Sequence, residues 1–315
     1  MIKMSWKCYE LNYKAKSAVH IGYGSQLGIV SRTRYYLPGK TMWGAVTAVL
    51  SRRIMERYDS GIYNKIGKFV KNHLIFSYFY PLKGTDMLYP HYTEEGLGFG
   101  SKGDKEFVMS KEEFEKELIS SYVSTALDKT SRTAEVGSLH EFELISPVEF
   151  IGYLFTNLEK NHGNTTYGMP IFVREGEEAK IEVEINGEKV EIFEAIKELQ
   201  VGGERSYGFG KLELKDTEIK QREKVFKRYE VVLNAERPRI TAEIALAHVM
   251  MSNGKEEYLD KLANIRGDIE PLVWREWSER GTGQKPAFGG IALVPGSRFD
   301  LNEMEIGPYG ILKPV

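Results

Sequence analysis

The chain opens on a strict alternation of apolar and polar positions. Tyr9, Leu11, Tyr13, Ala15, Ser17, Val19 and Ile21 interleave with Glu10, Asn12, Lys14, Lys16, Ala18 and His20, the period of a long strand with one buried and one polar face that ends at Gly22-Tyr23-Gly24. After a loop carrying Arg32 and Arg34, Pro38-Gly39-Lys40-Thr41 leads into Met42, Ala45, Val46, Val49, Leu50 and Ile54, whose spacing predicts an amphipathic helix. From Tyr63 to about Glu135 the periodicity weakens. An aromatic run (Phe76, Tyr78, Phe79, Tyr80), a glycine-rich loop and a charged stretch follow one another, which predicts an insertion over 63–135.

Strand patterns return at Leu139–Ile145 and Val148–Phe155, and Asn186-Gly187 between two alternating runs is the signal of a tight hairpin. Phe193, Ile196 and Leu199 then predict a helix, Gly202 to Lys211 a glycine loop, and Lys211–Lys215 a strand. The run Asp216–Arg228 is dense in charge and reads as a linker, so two domains are expected, 1–220 and a smaller or degenerate 226–315. The fold class is α+β. No clear self-similarity relates the two halves.

Composition narrows the function. Lys and Arg number 43 against 45 Asp and Glu, a net charge of -2, so any nucleic-acid site must be local rather than a general polycation. The single cysteine, Cys8, excludes a disulfide within the chain and a cysteine-built zinc site. No apolar run approaches the roughly 20 residues of a membrane span, and the N-terminus has no signal-peptide core, so a cytoplasmic protein with no membrane contact is expected.

Several chemistries fail on spacing. Gly39-Lys40-Thr41 resembles the end of a phosphate loop, but that motif needs a glycine where Arg34 stands. The weaker expectation is a helix N-terminus beside Lys40 that holds a phosphate of a polymer. The glycine loop is no dinucleotide fingerprint, because Glu213 occupies the third glycine position and no helix follows; no cofactor is expected. Six scattered histidines give no metal-ligand pair, and there is no GxSxG elbow, so no metal and no serine hydrolase are expected. His20, expected on the polar face of the first strand with Lys14 and Lys16, is the one candidate for metal-independent RNA cleavage; the alternative is a histidine bonded to the neighbouring turn.

The basic clusters are more coherent. Arg32 and Arg34, Lys40, Lys129 and Arg132 with Thr133, and Arg205 and Lys211 each stand in a loop with hydroxyl groups, the mixture that contacts phosphate and sugar. Tyr35, Tyr36 and Tyr207 add stacking surfaces, and Gly202, Gly203, Ser206, Gly208 and Gly210 allow close approach of a backbone. RNA binding is the leading expectation.

Three of these segments together resemble the signatures of the RAMP (repeat-associated mysterious protein) superfamily of CRISPR systems: Ala18–Gly22, Leu37–Ala45 and Val201–Gly210. Ser131–Glu141 is similar to a segment of the subunits that cap the 5′ handle of the guide RNA in type III effector complexes, and Trp274, Trp277, Lys285-Pro286 and Val294–Phe299 resemble their closing segment. The resemblance implies two ferredoxin-like (RRM-like) domains with an inserted thumb in the first. It further implies a hetero-oligomer with a large polymerase-like subunit and backbone RAMP subunits, and binding of crRNA. Backbone subunits of the family cut target RNA with an aspartate after the first strand, whereas the first aspartate here is Asp59, so the expected role is non-catalytic. An endoribonuclease using His20 and a protein scaffold are the alternatives.

Overall fold

In the computed structural model the described residues are 6–23, 30–57, 59–100, 108–128, 130–135, 138–157, 171–175, 181–185, 187–215, 219–278 and 281–315. Gly24, Lys129, His162, Asn186 and residues 216–218 of the expected linker lie outside them. The architecture is mixed α+β, rich in sheet and with few helices, as the sequence indicated.

Strand β1 (Lys7–Ala15) is followed by helices α1 (Gly39–Ile54) and α2 (Ser60–His73), strands β2 (Leu74–Phe76) and β3 (Tyr80–Lys83), and helix α3 (Lys111–Leu118). Then come β4 (Ile119–Ser124), β5 (His140–Ile145), β6 (Glu149–Thr156), the short helix α4 (Ile192–Ala195), β7 (Glu198–Gln200) and β8 (Lys211–Leu214). The main sheet runs β7-β8-β1-β6, with β2 and β3 both pairing the far edge of β6, and every pairing is antiparallel.

Two-residue periodicity explains how this sheet is covered. Tyr9, Leu11 and Tyr13 of β1 and Phe150 and Leu154 of β6 face α1, α2 and α4, while Ile151, Tyr153 and Phe155 face the second half of the chain. β6 is therefore buried on both faces, and its sequence is a nearly unbroken apolar run. Gly152 leaves room for Phe79, whose ring lies 2.5 Å from where a Cβ would stand.

The expected insertion begins later than its sequence pattern indicated. Tyr63, Ile66, Phe69 and Val70 form the buried stripe of α2, and β2 and β3 belong to the main sheet. Asp59 caps α2 by accepting from the amides of Gly61 (2.7 Å) and Ile62 (3.1 Å). The charge-dense segment also behaves differently from a free linker: Glu10 N–H donates to Lys220 O (3.2 Å) and Arg222 N–H to Cys8 O (2.8 Å), which lays it along the edge of β1.

The second half is one eight-stranded sheet ending in a long hairpin, β9 (Ile269–Ser278) with β10 (Gly281–Leu293). Among its described residues there is no α-helix, so its core comes from facing the first sheet rather than from helices of its own. Tyr229, Ile240, Val249, Phe299 and Met304 meet Tyr78, Tyr80, Tyr153 and Phe155 in one continuous apolar cluster.

Candidate nucleic-acid interface

The glycine loop connects two antiparallel strands, not a helix and a strand. α4 stops at Ala195 because Leu199 is already in β7, paired opposite Leu212 of β8. Gly202, Gly208 and Gly210 have φ of 77°, 87° and 79°, values glycine adopts without strain, and Glu204 joins them at 51°. Space is the second constraint. A Cβ on Gly202 would stand 2.1 Å from His20 O, and one on Gly210 1.9 Å from Val201 O.

Three of the loop's amides tie it to the segment before it. Gly203 N–H donates to His20 O (2.9 Å), Gly210 N–H to Ala18 O (2.8 Å), and Lys211 N–H to Ser17 Oγ (3.0 Å). These glycines fit the loop to residues 17–20 rather than cradle an anion with those amides. What the loop presents outward is one helical turn, Arg205-Ser206-Tyr207, all three exposed and followed by exposed Lys211. Gln200 Nε2 donates to both Arg205 O and Phe209 O (3.1 Å each), which holds that turn in place.

His20 lies under the loop, not on an open polar face. β1 ends at Ala15, after which the chain leaves the ladder, and His20 is only 4% exposed. Its Nδ1 lies 2.7 Å from Glu143 O, so Nδ1 carries the hydrogen, and Nε2 accepts from Ser31 Oγ at 3.4 Å. Both ring nitrogens are thus engaged, by Glu143 of β5 and by Ser31 rather than by the neighbouring turn.

Beside the loop stands the β4–β5 hairpin. Tyr122 and Phe142 are cross-strand partners. Tyr122 packs against Tyr207 (5.7 Å between centroids) and Phe209 (5.5 Å), and Phe142 against Tyr207 (6.1 Å) and His20 (5.9 Å). Val30–Ser31 pairs in parallel with Glu141–Phe142, which brings exposed Arg32 to the same sheet. Arg132 and Thr133 are exposed in the loop that closes this hairpin, where Asp128 Oδ1 accepts from the amides of Thr130 (2.9 Å) and Ser131 (2.6 Å). Those bonds hold the Asp128 carboxyl below the usual carboxylate range. Tyr122, Phe142 and Phe209 were not singled out from sequence; the signal was the aromatic pair at matching positions of two neighbouring strands.

Arg34 and Lys40, expected to face RNA, turn inward. Arg34 pairs with Glu270 of β9 at 2.7 Å and donates to Tyr36 Oη at 2.9 Å. Glu270 also accepts from His248 Nε2, and Tyr78 Oη donates to the other ring nitrogen of His248. Burial alone would raise the Glu270 carboxyl, but the His248 bond and the Arg34 charge outweigh it and hold the group at about 2. Burial pushes His248 down, against the pull of Glu270.

Lys40 Nζ has no hydrogen-bond partner among the described residues and lies over the rings of Trp43 (3.8 Å), Tyr309 (4.0 Å) and Trp274 (5.0 Å). Burial lowers its ammonium to about 7, with Glu276 acting in the opposite direction. Tyr35 and Tyr36 are not stacking surfaces either: Tyr36 is buried, and Tyr35 bonds Glu115 and packs between Phe99 and Phe114.

The structure therefore brings together Arg32, Arg205, Ser206, Tyr207 and Lys211 around buried His20, leaves Arg132 and Thr133 in the loop closing the hairpin, and withdraws Arg34 and Lys40. Among the described residues no group of His, Cys, Asp and Glu could hold a metal ion, and no helix is long and apolar enough to cross a membrane.

The sequence model of the RAMP superfamily matches residues 12–213. A chain of the type III-B Cmr-beta cryo-EM structure bound to cognate target RNA and AMPPnP has a TM-score of 0.53 at 9% identity, covering 92% of this chain and 85% of that one. A chain of Cmr-beta bound to cognate target RNA gives 0.52 at 10% identity, with 92% and 86% covered. At such identities the likeness is one of fold. No curated protein matches.

Proposed function

The chain belongs to the RAMP superfamily, and from that premise we propose that it is a non-catalytic, crRNA-binding subunit of a type III CRISPR effector complex. In this reading it holds the repeat-derived 5′ handle of the guide in the cytoplasm and contacts the large polymerase-like subunit and the backbone RAMP subunits. The observation that carries it is the outward turn Arg205-Ser206-Tyr207 with Lys211, on a loop tied to residues 17–20 by the amides of Gly203, Gly210 and Lys211. Cations, a hydroxyl and an aromatic ring on a rigid turn suit phosphate, sugar and base.

The order β8-β1-β6-β2, with α1 after β1 and α4 after β6, supports a ferredoxin-like first unit, and the β4–β5 hairpin is the candidate thumb. The second sheet, with no α-helix among its described residues, fits a degenerate counterpart. Its hairpin exposes the cross-strand pair Val273 and Phe288, 63% and 61% accessible, a surface suited to a protein subunit. His20 as an endoribonuclease base is disfavoured by its burial and its two engaged nitrogens.

Filter binding at graded salt tests the reading. RNA bearing the repeat-derived handle is expected to bind more tightly than handle-less RNA, and Arg205→Glu with Lys211→Glu to lower the salt slope by about 1 per lost contact. Equal affinity for both RNAs would remove the handle assignment. Cleavage of repeat RNA in EDTA that disappears in His20→Ala would replace it with a nuclease.

A further inference from the structure

Next to the glycine loop, two tyrosines stand side by side in solvent. Tyr207 is 48% exposed and Tyr122 40%, and neither hydroxyl has a hydrogen-bond partner among the described residues. Phe209 lies nearly parallel to Tyr207 (25° between planes), Tyr122 meets both at steeper angles, and Phe142 backs Tyr207 from the buried side. The rings come from two separate parts of the chain, the hairpin β4–β5 and the loop β7–β8, so their assembly is a product of tertiary structure.

The geometry points to a stacking platform in which Tyr207 and Tyr122 receive one unpaired base of a single-stranded RNA, an inference that rests on the RNA-binding function proposed above. Three features favour a base. The rings are restrained, since each packs against other rings and Gln200 holds the backbone of Tyr207's turn, so less freedom is lost on binding. Arg205 and Ser206 precede Tyr207 in the same exposed turn, a cation and a hydroxyl of the kind that meets phosphate and sugar. A base within a duplex hides its faces, so the ligand must be single-stranded there.

The test uses the full chain and guide RNAs in which one handle nucleotide at a time lacks its base while the sugar-phosphate remains. Removing the stacked base is expected to weaken binding by about tenfold at one position. Tyr207→Ala, at an exposed site, is expected to cause a similar loss with intact RNA and almost none with the base-less RNA, because both changes remove the same contact. Tyr207→Trp should restore binding and quench a fluorescent adenine analogue at that position. If base removal has no effect at any position, or if its effect adds fully to that of Tyr207→Ala, the platform is wrong, while dependence on Arg205 and Lys211 would leave the RNA-binding reading standing. If binding depends on neither the cations nor the rings, both fail.

Discussion

Two segments of this chain contain nearly the same ingredients and use them in opposite directions. Gly39-Lys40-Thr41-Met42-Trp43 and Gly203-Glu204-Arg205-Ser206-Tyr207 each combine glycine, a cation, a hydroxyl and an aromatic ring. In the first, the lysine is drawn into the seam between the two halves, over Trp43 of α1, Trp274 of β9 and Tyr309. In the second, the glycine positions are consumed by packing against residues 17–20, and the arginine, serine and tyrosine are left in water. Motif composition does not decide whether a cation is structural or available to a ligand; its neighbours across the fold do.

The comparison can be broken from either side. The largest effect is expected at Gly210. Gly210→Ala places a Cβ 1.9 Å from Val201 O at a φ of 79°. It should destabilise the chain by about 3 kcal/mol or more in chemical denaturation. A neutral result would show that the backbone at Gly210 is not held against Val201.

Next comes the other inward cation. Arg34→Met leaves Glu270 beside His248 without its guanidinium, a pair still partly open to solvent at 17% and 19%. We expect a loss of about 2–3 kcal/mol. Because the Glu270 carboxyl is held at about 2, below its ordinary value, its stabilisation is present at neutral pH and lost as pH falls from the usual carboxylate range toward 2. Glu270→Gln should flatten that part of a stability-against-pH curve, and an unchanged curve would contradict the network.

Lys40 gives a slope of the same sign for the opposite reason, because its charged form is penalised by burial rather than favoured by partners. Its ammonium is lowered to about 7 from an ordinary 10.5, so the unfolded chain binds the extra proton and stability should rise as pH increases across that interval. Lys40→Met keeps the length, removes the charge and should abolish the rise, at a cost below about 1.5 kcal/mol at high pH. The smallest stability effect is expected where the RNA effect is largest: Arg205→Met and Lys211→Met should melt within about 0.5 kcal/mol of wild type.

Much of the first unit was legible in the chain. α1 and the strand at 140–145 follow their periodicities, β1 stops at Ala15 short of the alternation that runs on to Ile21, and β6, buried on both faces, shows as a continuous apolar run. α2 was missed although Tyr63, Ile66, Phe69 and Val70 carry helical spacing, since the aromatic run after it masked the change of period. The direction of Arg34 and Lys40 could not be read locally. Glu270 lies 236 positions from Arg34, and Trp274 and Tyr309 are equally remote from Lys40. The aromatic surface at Tyr122 and Tyr207 was hidden for the same reason, as its members meet only when β5 and the glycine loop are brought together.

The most direct test makes one substitution in both motifs. The affinity of guide RNA for Lys40→Met and for Arg205→Met, measured across a range of salt, should separate them. Lys40→Met is expected to bind as wild type does with the same salt slope, and Arg205→Met to bind more weakly with a slope smaller by about 1. Loss of affinity and slope in Lys40→Met, with Arg205→Met unchanged, would contradict the account.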